Sequence, residues 1–316
     1  MNLPERITVC EVGLRDGMQI EKAILTVEDK LKIIEDLVDA GVKVIEVGSF
    51  VHPIKVPQMA NTDEVYRRLP KKEGVEYRAL VMNIRGVQRA IECGCKKVKL
   101  NISASKGHNL ANQNMLPLEQ MKGFAPQAEL ARSAGLEVSG SIACPFGSPW
   151  DKEIPLKDVK EIIDAYINVG VTEISISDAP GMAMPKQVYR MMTELKATYP
   201  QCKFILHFHN TRGMGIANVM AGMEAGITWF DGSFAGTGGC PFVPGAAGNV
   251  STEDIVHMCE EQGVETGIDI HKLINVGHYV ETLMGHRGDS YVLRAGTNHD
   301  LLLDQPKGQI ERETRG

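Results

Sequence analysis

Along the chain, apolar and polar positions repeat one junction: apolar residues at helical spacing, a Gly stop, then a mostly β-branched run. It recurs in DAGVKVIEV (39–47), KEGVEYRAL (72–80), ECGCKKVKLNI (92–102), SAGLEVSGSI (133–142), NVGVTEISIS (168–177) and EAGITWFDGS (224–233). Glycine closes a helix by accepting the left-handed conformation, and the short apolar run after it reads as a buried strand. In YPQCKFILHFH (199–209) Pro supplies the stop, and RITVCEVG (6–13) opens the series, so eight strands are expected. Between strands, TVEDKLKIIEDLVDAG puts Leu31, Ile34, Leu37 and Val38 on one helical face, with Thr26 as N-cap and Asp29 three residues on. Alternating β and α units predict an α/β protein, a closed (β/α)8 TIM barrel, rather than an open doubly wound sheet or two open α/β domains. No GxGxxG follows the first strand to favour a dinucleotide fold. The barrel is expected over 1–267, with residues 268–316 forming a short helical C-terminal extension, a helix and looped tail packed on it.

Composition narrows the class. At 316 residues and 43% hydrophobic, the chain can bury a large core. A formal charge of -6 without a long basic run argues against nucleic acid or an anionic membrane as partner and fits a small-metabolite enzyme. The seven cysteines are odd in number and scattered; only Cys93 and Cys95 lie close, at a spacing that is neither CxxC nor a zinc pattern. Free thiols in a reducing compartment are expected. The opening MNLPERITVC has neither an apolar signal core nor an Arg/Ser-rich leader, and no apolar run approaches a membrane span, so a cytoplasmic protein is expected.

Barrel enzymes carry their chemistry on the loops after the strands, so polar residues at the carboxyl ends are the candidates. In EVGLRDGMQIEK, Arg15 and Asp16 stand between Gly13 and Gly17; a surface turn with a charge pair is the plain alternative. VIEVGSF places Glu46 inside an apolar strand, where a buried acid must be paired, and Arg15 on the neighbouring strand is a candidate partner. In ILHFHNTRG, His207 and His209 are two apart and share one side of the strand, with Ile205 in phase and Phe208 facing away. Two in-phase histidines at a strand's carboxyl end point to metal ligation, and Asp16, reached around the closed barrel, can add an oxygen ligand. Asn249 precedes the helix start marked by Ser251 and Asp254, as a turn residue or an inward-facing amide. Asp178, at the end of ISISDAPG, is open to three readings: base, acid or helix-start residue. AGTGGCPFVPGAAGN (235–249) sets one thiol, Cys240, within a Gly-rich loop after the last strand. Lys22, Lys99 and Lys106 stand near strand ends, either for a nucleotide or as solvated surface charge.

Taken together, EVGLRDGMQIEK, VIEVGSFVHPIKVPQM, HFHNTRGMGIANVMAGMEAGITWFDGS and AGTGGCPFVPGAAGNVSTED resemble the DRE-TIM metallolyase superfamily, and within it the 3-hydroxy-3-methylglutaryl-CoA (HMG-CoA) lyase family. The last piece separates the lyases from the isopropylmalate and homocitrate synthase branch. The resemblance implies Asp16, His207, His209 and Asn249 as ligands of a divalent metal, Mg2+ or Mn2+, with Zn2+ less expected. It implies Arg15 as the catalytic arginine, Cys240 as the catalytic loop thiol, an acyl-CoA substrate that brings coenzyme A with it, and a homodimer. The implied reaction is retro-Claisen cleavage of HMG-CoA to acetyl-CoA and acetoacetate. Arg15 would face the developing thioester enolate, Cys240 would reprotonate it, and His207, Asp16 or a metal-bound water would act as base. Glu46 and Asp178 are expected beside the substrate.

The match departs at several strand ends. Asn210 stands where such lyases show the acid of His-x-His-Asp-Thr; Ser141 replaces an aromatic and Ser148 a second cysteine; SDAPGMAMP replaces an Asp-Thr-x-Gly pattern. These positions surround the acyl group, which points to retained chemistry on an altered acyl group. Citramalyl-CoA or another 3-hydroxyacyl-CoA is therefore the alternative substrate, and an acetyl-CoA-condensing synthase the more distant reading.

Overall fold

The computed structural model describes residues 2–239, 245 and 247–300. Eight parallel strands follow one another around a closed barrel in chain order. They are β1 Thr8–Glu11, β2 Val44–Ser49, β3 Glu76–Val81, β4 Lys97–Ser103, β5 Glu137–Ala143, β6 Glu173–Asp178, β7 Lys203–Phe208 and β8 Trp229–Gly232. Closure runs from Thr8↔Trp229 to Glu11↔Gly232. This is the predicted TIM barrel.

Helices α1 Val27–Asp39, α2 Thr62–Arg68 and α3 Ile84–Glu92 follow the first three strands, and α4 Lys106–Gln113, α5 Pro117–Met121 and α6 Phe124–Ser133 all follow β4. Next come α7 Leu156–Asn168, α8 Pro185–Thr198, α9 Gly215–Glu224 and α10 Thr252–Glu261, then α11 Ile270–Met284 and α12 Tyr291–Ala295. The expected caps form: Thr26 and Asp29 make a capping box on α1, and the Ser251 hydroxyl accepts from the Asp254 amide on α10. Where one helix was expected after β4 there are three, because Asn114 ends α4 in the left-handed conformation (φ 54°) and Pro117 then starts α5. The tail likewise holds a second helix, α12. Its start is tied to the barrel by Asp254, whose carboxylate accepts from the Ser290 hydroxyl and the Tyr291 and Val292 amides. Among the described residues no helix is long and apolar enough to cross a membrane.

The outer faces of the strands pack against the helices in one large apolar core. The lumen is different. At its amino end Arg78, with a side chain 1% exposed, pairs with Glu76 and Glu173, while Lys97 reaches Glu76 at 3.1 Å and Glu173 at 2.8 Å. Above this lies an apolar layer of Cys10, Val44 and Ile205. Polar side chains return at the carboxyl end, where the candidate site is.

Candidate active site

The chain leaves β1 through a wide helical turn, Gly13–Gly17, in which the Val12 carbonyl accepts from the amides of Arg15 (3.0 Å) and Asp16 (2.8 Å). Two adjacent charged side chains are thereby held at the barrel mouth. Gly17 is required by crowding, since a Cβ there would lie 2.6 Å from Ser233 Oγ. From β7, His207 and His209 turn to the same place. Asp16 Oδ2 is 3.7 Å from His207 Nε2 and 3.4 Å from His209 Nε2, and ligand atoms of all three lie within 4.8 Å of one another. His209 also bridges to Asn249, which brings the far end of the Gly-rich loop alongside. Asn249 Nδ2 donates to Asp16 Oδ2 at 2.9 Å and to the Thr237 carbonyl at 3.0 Å. Gly238 lets this approach happen: its φ is +115° and a Cβ would sit 2.6 Å from Asn249 Nδ2.

A second ring of charge supports the first. Arg15 binds Asp16 through Nη1 and Glu46 through Nε, leaving Nη2 without a protein partner among the described residues. The other oxygen of Glu46 meets Lys99. Asp231 Oδ2 lies 3.1 Å from His207 Nδ1, which aims Nε2 of that ring at Asp16. Burial opposes the Asp16 charge, yet the Arg15 guanidinium and the two imidazoles hold its carboxyl well below the usual carboxylate range. Burial likewise opposes ionisation of Asp231, but Lys99 and His207 bring it down to about 2.

These residues fit a divalent cation. Among the described residues, Asp16, Glu46 and Asp231 have only two permanent cations within ion-pair distance, Arg15 and Lys99, in a largely buried setting. The excess negative charge sits among two imidazole nitrogens and a carboxylate oxygen, with the Asn249 amide beside them; a half-turn of that amide would present its oxygen. A cavity of about 450 Å³ opens from this set toward β3 to β6, with Leu80, Asn101, Ser141 and Ser177 on its far wall.

Glu46 and Asp178, expected beside the substrate, both lie off the cavity. Glu46 has no exposed surface and does not line the cavity; it stands behind Arg15 as its counter-charge. Asp178 is also fully buried and off the cavity, accepting from the Met182 and Ala183 amides at 2.9 Å each, so it anchors the turn before α8. Burial raises its carboxyl to about 6 despite those amides. Lys99 is not surface charge but 2% exposed and paired with Glu46. Asn210 accepts from the Gly215 amide at the start of α9, and the Ser148 hydroxyl organises a turn with Ser105, Trp150 and Asp151. Cys240 lies outside the described residues. Sequence reasoning missed Asp231, although WFDGS placed an acid inside an apolar strand just as VIEVGSF did.

Fold and site define a TIM-barrel enzyme with a candidate divalent-metal centre at the carboxyl end of its strands. A family profile described as HMGL-like matches residues 6–280. The chain belongs to that family and is an HMG-CoA-lyase-like carbon–carbon lyase of the DRE-TIM superfamily. It is 37% identical over 285 residues to a hydroxymethylglutaryl-CoA lyase of Bacillus subtilis, covering 90% of this chain and 95% of the relative. It is 36% identical over 295 residues to a 3-hydroxy-3-isohexenylglutaryl-CoA/hydroxymethylglutaryl-CoA lyase of Pseudomonas aeruginosa, covering 93% and 98%. An Acinetobacter baumannii HMG-CoA lyase solved with coenzyme A and 3-methylmalate superposes with a TM-score of 0.91 at 37% identity, over 95% of this chain and 98% of that one.

Proposed function

We propose that this protein cleaves a 3-hydroxyacyl-CoA between C2 and C3, with HMG-CoA giving acetyl-CoA and acetoacetate, using Mg2+ or Mn2+ held by Asp16, His207, His209 and Asn249. The observation that carries this reading is the position of Arg15, fixed beside the ligand set with Nη2 left over for substrate. The relatives named as lyases of HMG-CoA and its isohexenyl analogue support it.

A divalent cation held there would supply Lewis acidity and positive charge for loss of the C3 hydroxyl proton. His207 Nε2 would be engaged as a ligand and its Nδ1 is held by Asp231, so the Asp16 carboxylate, with a second oxygen beyond the ligating one, is this chain's proton acceptor beside that position. As the C3 carbonyl forms, the C2–C3 bond breaks and its electron pair leaves as a thioester enolate. Charge then grows on the thioester oxygen, where Arg15 Nη2 can donate; its guanidinium is held by Asp16 and Glu46 before substrate arrives, so little reorganisation is needed. The enolate carbon finally takes a proton, the role assigned to Cys240. Because Asn249 is bonded to Asp16, one end of the loop bearing that thiol is anchored at the site. Incubation with HMG-CoA and Mn2+, with acetyl-CoA and acetoacetate quantified, tests the proposal; intact ester after prolonged incubation would refute it.

A further inference from the structure

Across the cavity from Asp16, the wall is built from β4, β5 and β6, since β5 lies diametrically opposite β1 in the closed barrel. Asn101 on β4 stands in register with Ser141 on β5, and Ser177 on β6 stands beside Ala143, one step toward the mouth. All line the cavity, and Ser141 and Ser177 are only 7% and 8% exposed. Outside the strand ladders, Asn101 and Ser141 bond through their backbones, to Gln120 and to the Tyr166 hydroxyl, and Ser177 through its carbonyl. Among the described residues, the two hydroxyls and the Asn101 carboxamide have no hydrogen-bond partner. Neighbouring polar groups are engaged, Lys99 with Glu46 and Asp231 with His207.

A buried hydroxyl or amide facing an apolar group forgoes a hydrogen bond, and its desolvation is left uncompensated. A methyl branch offers these three groups nothing. Ser and Asn each both donate and accept, as an alcohol does, and none of the three is charged, while Lys99 on the same wall is already paired with Glu46, so a carboxylate there would have no unpaired counter-ion from β4 to β6. We infer that this wall is a recognition subsite for an alcohol on the C3 substituent, so that the preferred substrate carries a hydroxylated branch where HMG-CoA has its methyl. The inference rests on the proposed lyase reading. The bond changes are those of that reaction: the C3 hydroxyl proton leaves, C3 becomes a carbonyl, and the C2–C3 pair passes to C2, which is protonated. The products are acetyl-CoA and a hydroxylated 3-oxo acid.

The test compares HMG-CoA with 3-hydroxy-3-(hydroxymethyl)glutaryl-CoA on Mn2+-loaded full-length protein, in wild type, Ser141→Ala, Ser177→Ala and the double variant. The expected kcat/KM ratio in wild type favours the hydroxymethyl ester by about tenfold or more, because a site built to bond a hydroxyl discriminates against the analogue lacking it. The ratio should fall stepwise toward one in the single and double variants. A wild-type ratio at or below one, with HMG-CoA cleaved, overturns the subsite and leaves the lyase reading standing, as does a ratio the alanines leave unchanged. Cleavage of neither ester overturns both.

Discussion

The lumen of this barrel holds two charged layers, one at each end, and they are built on opposite principles. At the amino end Arg78, Lys97 and Lys203 meet Glu76, Glu137 and Glu173, charge for charge. At the carboxyl end, among the described residues, Asp16, Glu46 and Asp231 form ion pairs with Arg15 and Lys99 alone of the permanent cations, and the two histidines turn ring nitrogens toward the surplus. The same strands supply much of both layers. What separates them begins in the strands, where Glu46 and Asp231 outnumber Lys99; only the carboxyl end then receives the Gly13–Gly17 turn, which adds Arg15 together with Asp16, and Asn249. A balanced layer holds the strands together; an unbalanced one leaves charge with which to hold a cation.

The comparison can be broken by moving effects from one end to the other. The largest expected effect is on stability: Arg78→Met removes the buried cation shared by Glu76 and Glu173, which keep Lys97 and Lys203, and should cost about 3 kcal/mol in denaturant unfolding, the low end for breaking a buried pair, with kcat of the folded fraction unchanged. A collapse of kcat with stability intact would show that the two ends are not separate. Next, Arg15→Met should lower kcat by about 10²–10³-fold, the scale for losing a charge-stabilising donor, while Mn2+ still binds in a calorimetric titration. Loss of Mn2+ binding would mean that Arg15 serves to hold Asp16 rather than to meet the enolate. The smallest effect is in acid. At Glu173 burial opposes the charge, but Arg78, Lys97 and Lys203 lower its carboxyl from 4.5 to about 2. A folded-state value below the unfolded one gives stability that is full above about 4.5 and lost as pH falls toward 2. The stability advantage of wild type over Glu173→Gln should therefore shrink across that window, measured as urea midpoints at pH 7 and pH 3; an advantage undiminished at pH 3 would remove Glu173 from the paired network.

The barrel could be read from the repeated Gly stop, and the histidine pair from its spacing of two on a strand that ends at the barrel mouth. The supporting charges were visible but unread. KVKLN alternates Lys97, Lys99 and Asn101, EYR alternates Glu76 and Arg78, and EISIS alternates Glu173, Ser175 and Ser177. In a barrel whose outer face is covered by helices, polar residues at every second position must share the lumen. Their pairing was out of reach, because it depends on register between strands: Arg78 stands opposite Lys97, and Glu173 opposite Lys203, which local periodicity does not encode. For the same reason Glu46 could be recognised as an acid needing a partner, while its second partner, Lys99 two strands away, could not. Asp178 was ambiguous because a helix-start acid and a substrate acid look alike until its two amide donors are seen.

The central claim is that the unbalanced layer is a catalytic divalent-metal site. Its most direct test is to strip the protein with chelator and titrate it with Mn2+, following bound metal and HMG-CoA cleavage in the same samples, for wild type and Asp16→Asn. The account predicts one Mn2+ per chain in wild type, cleavage rising in step with occupancy, and neither in Asp16→Asn. Cleavage that survives complete metal removal, or that Asp16→Asn retains, would contradict it.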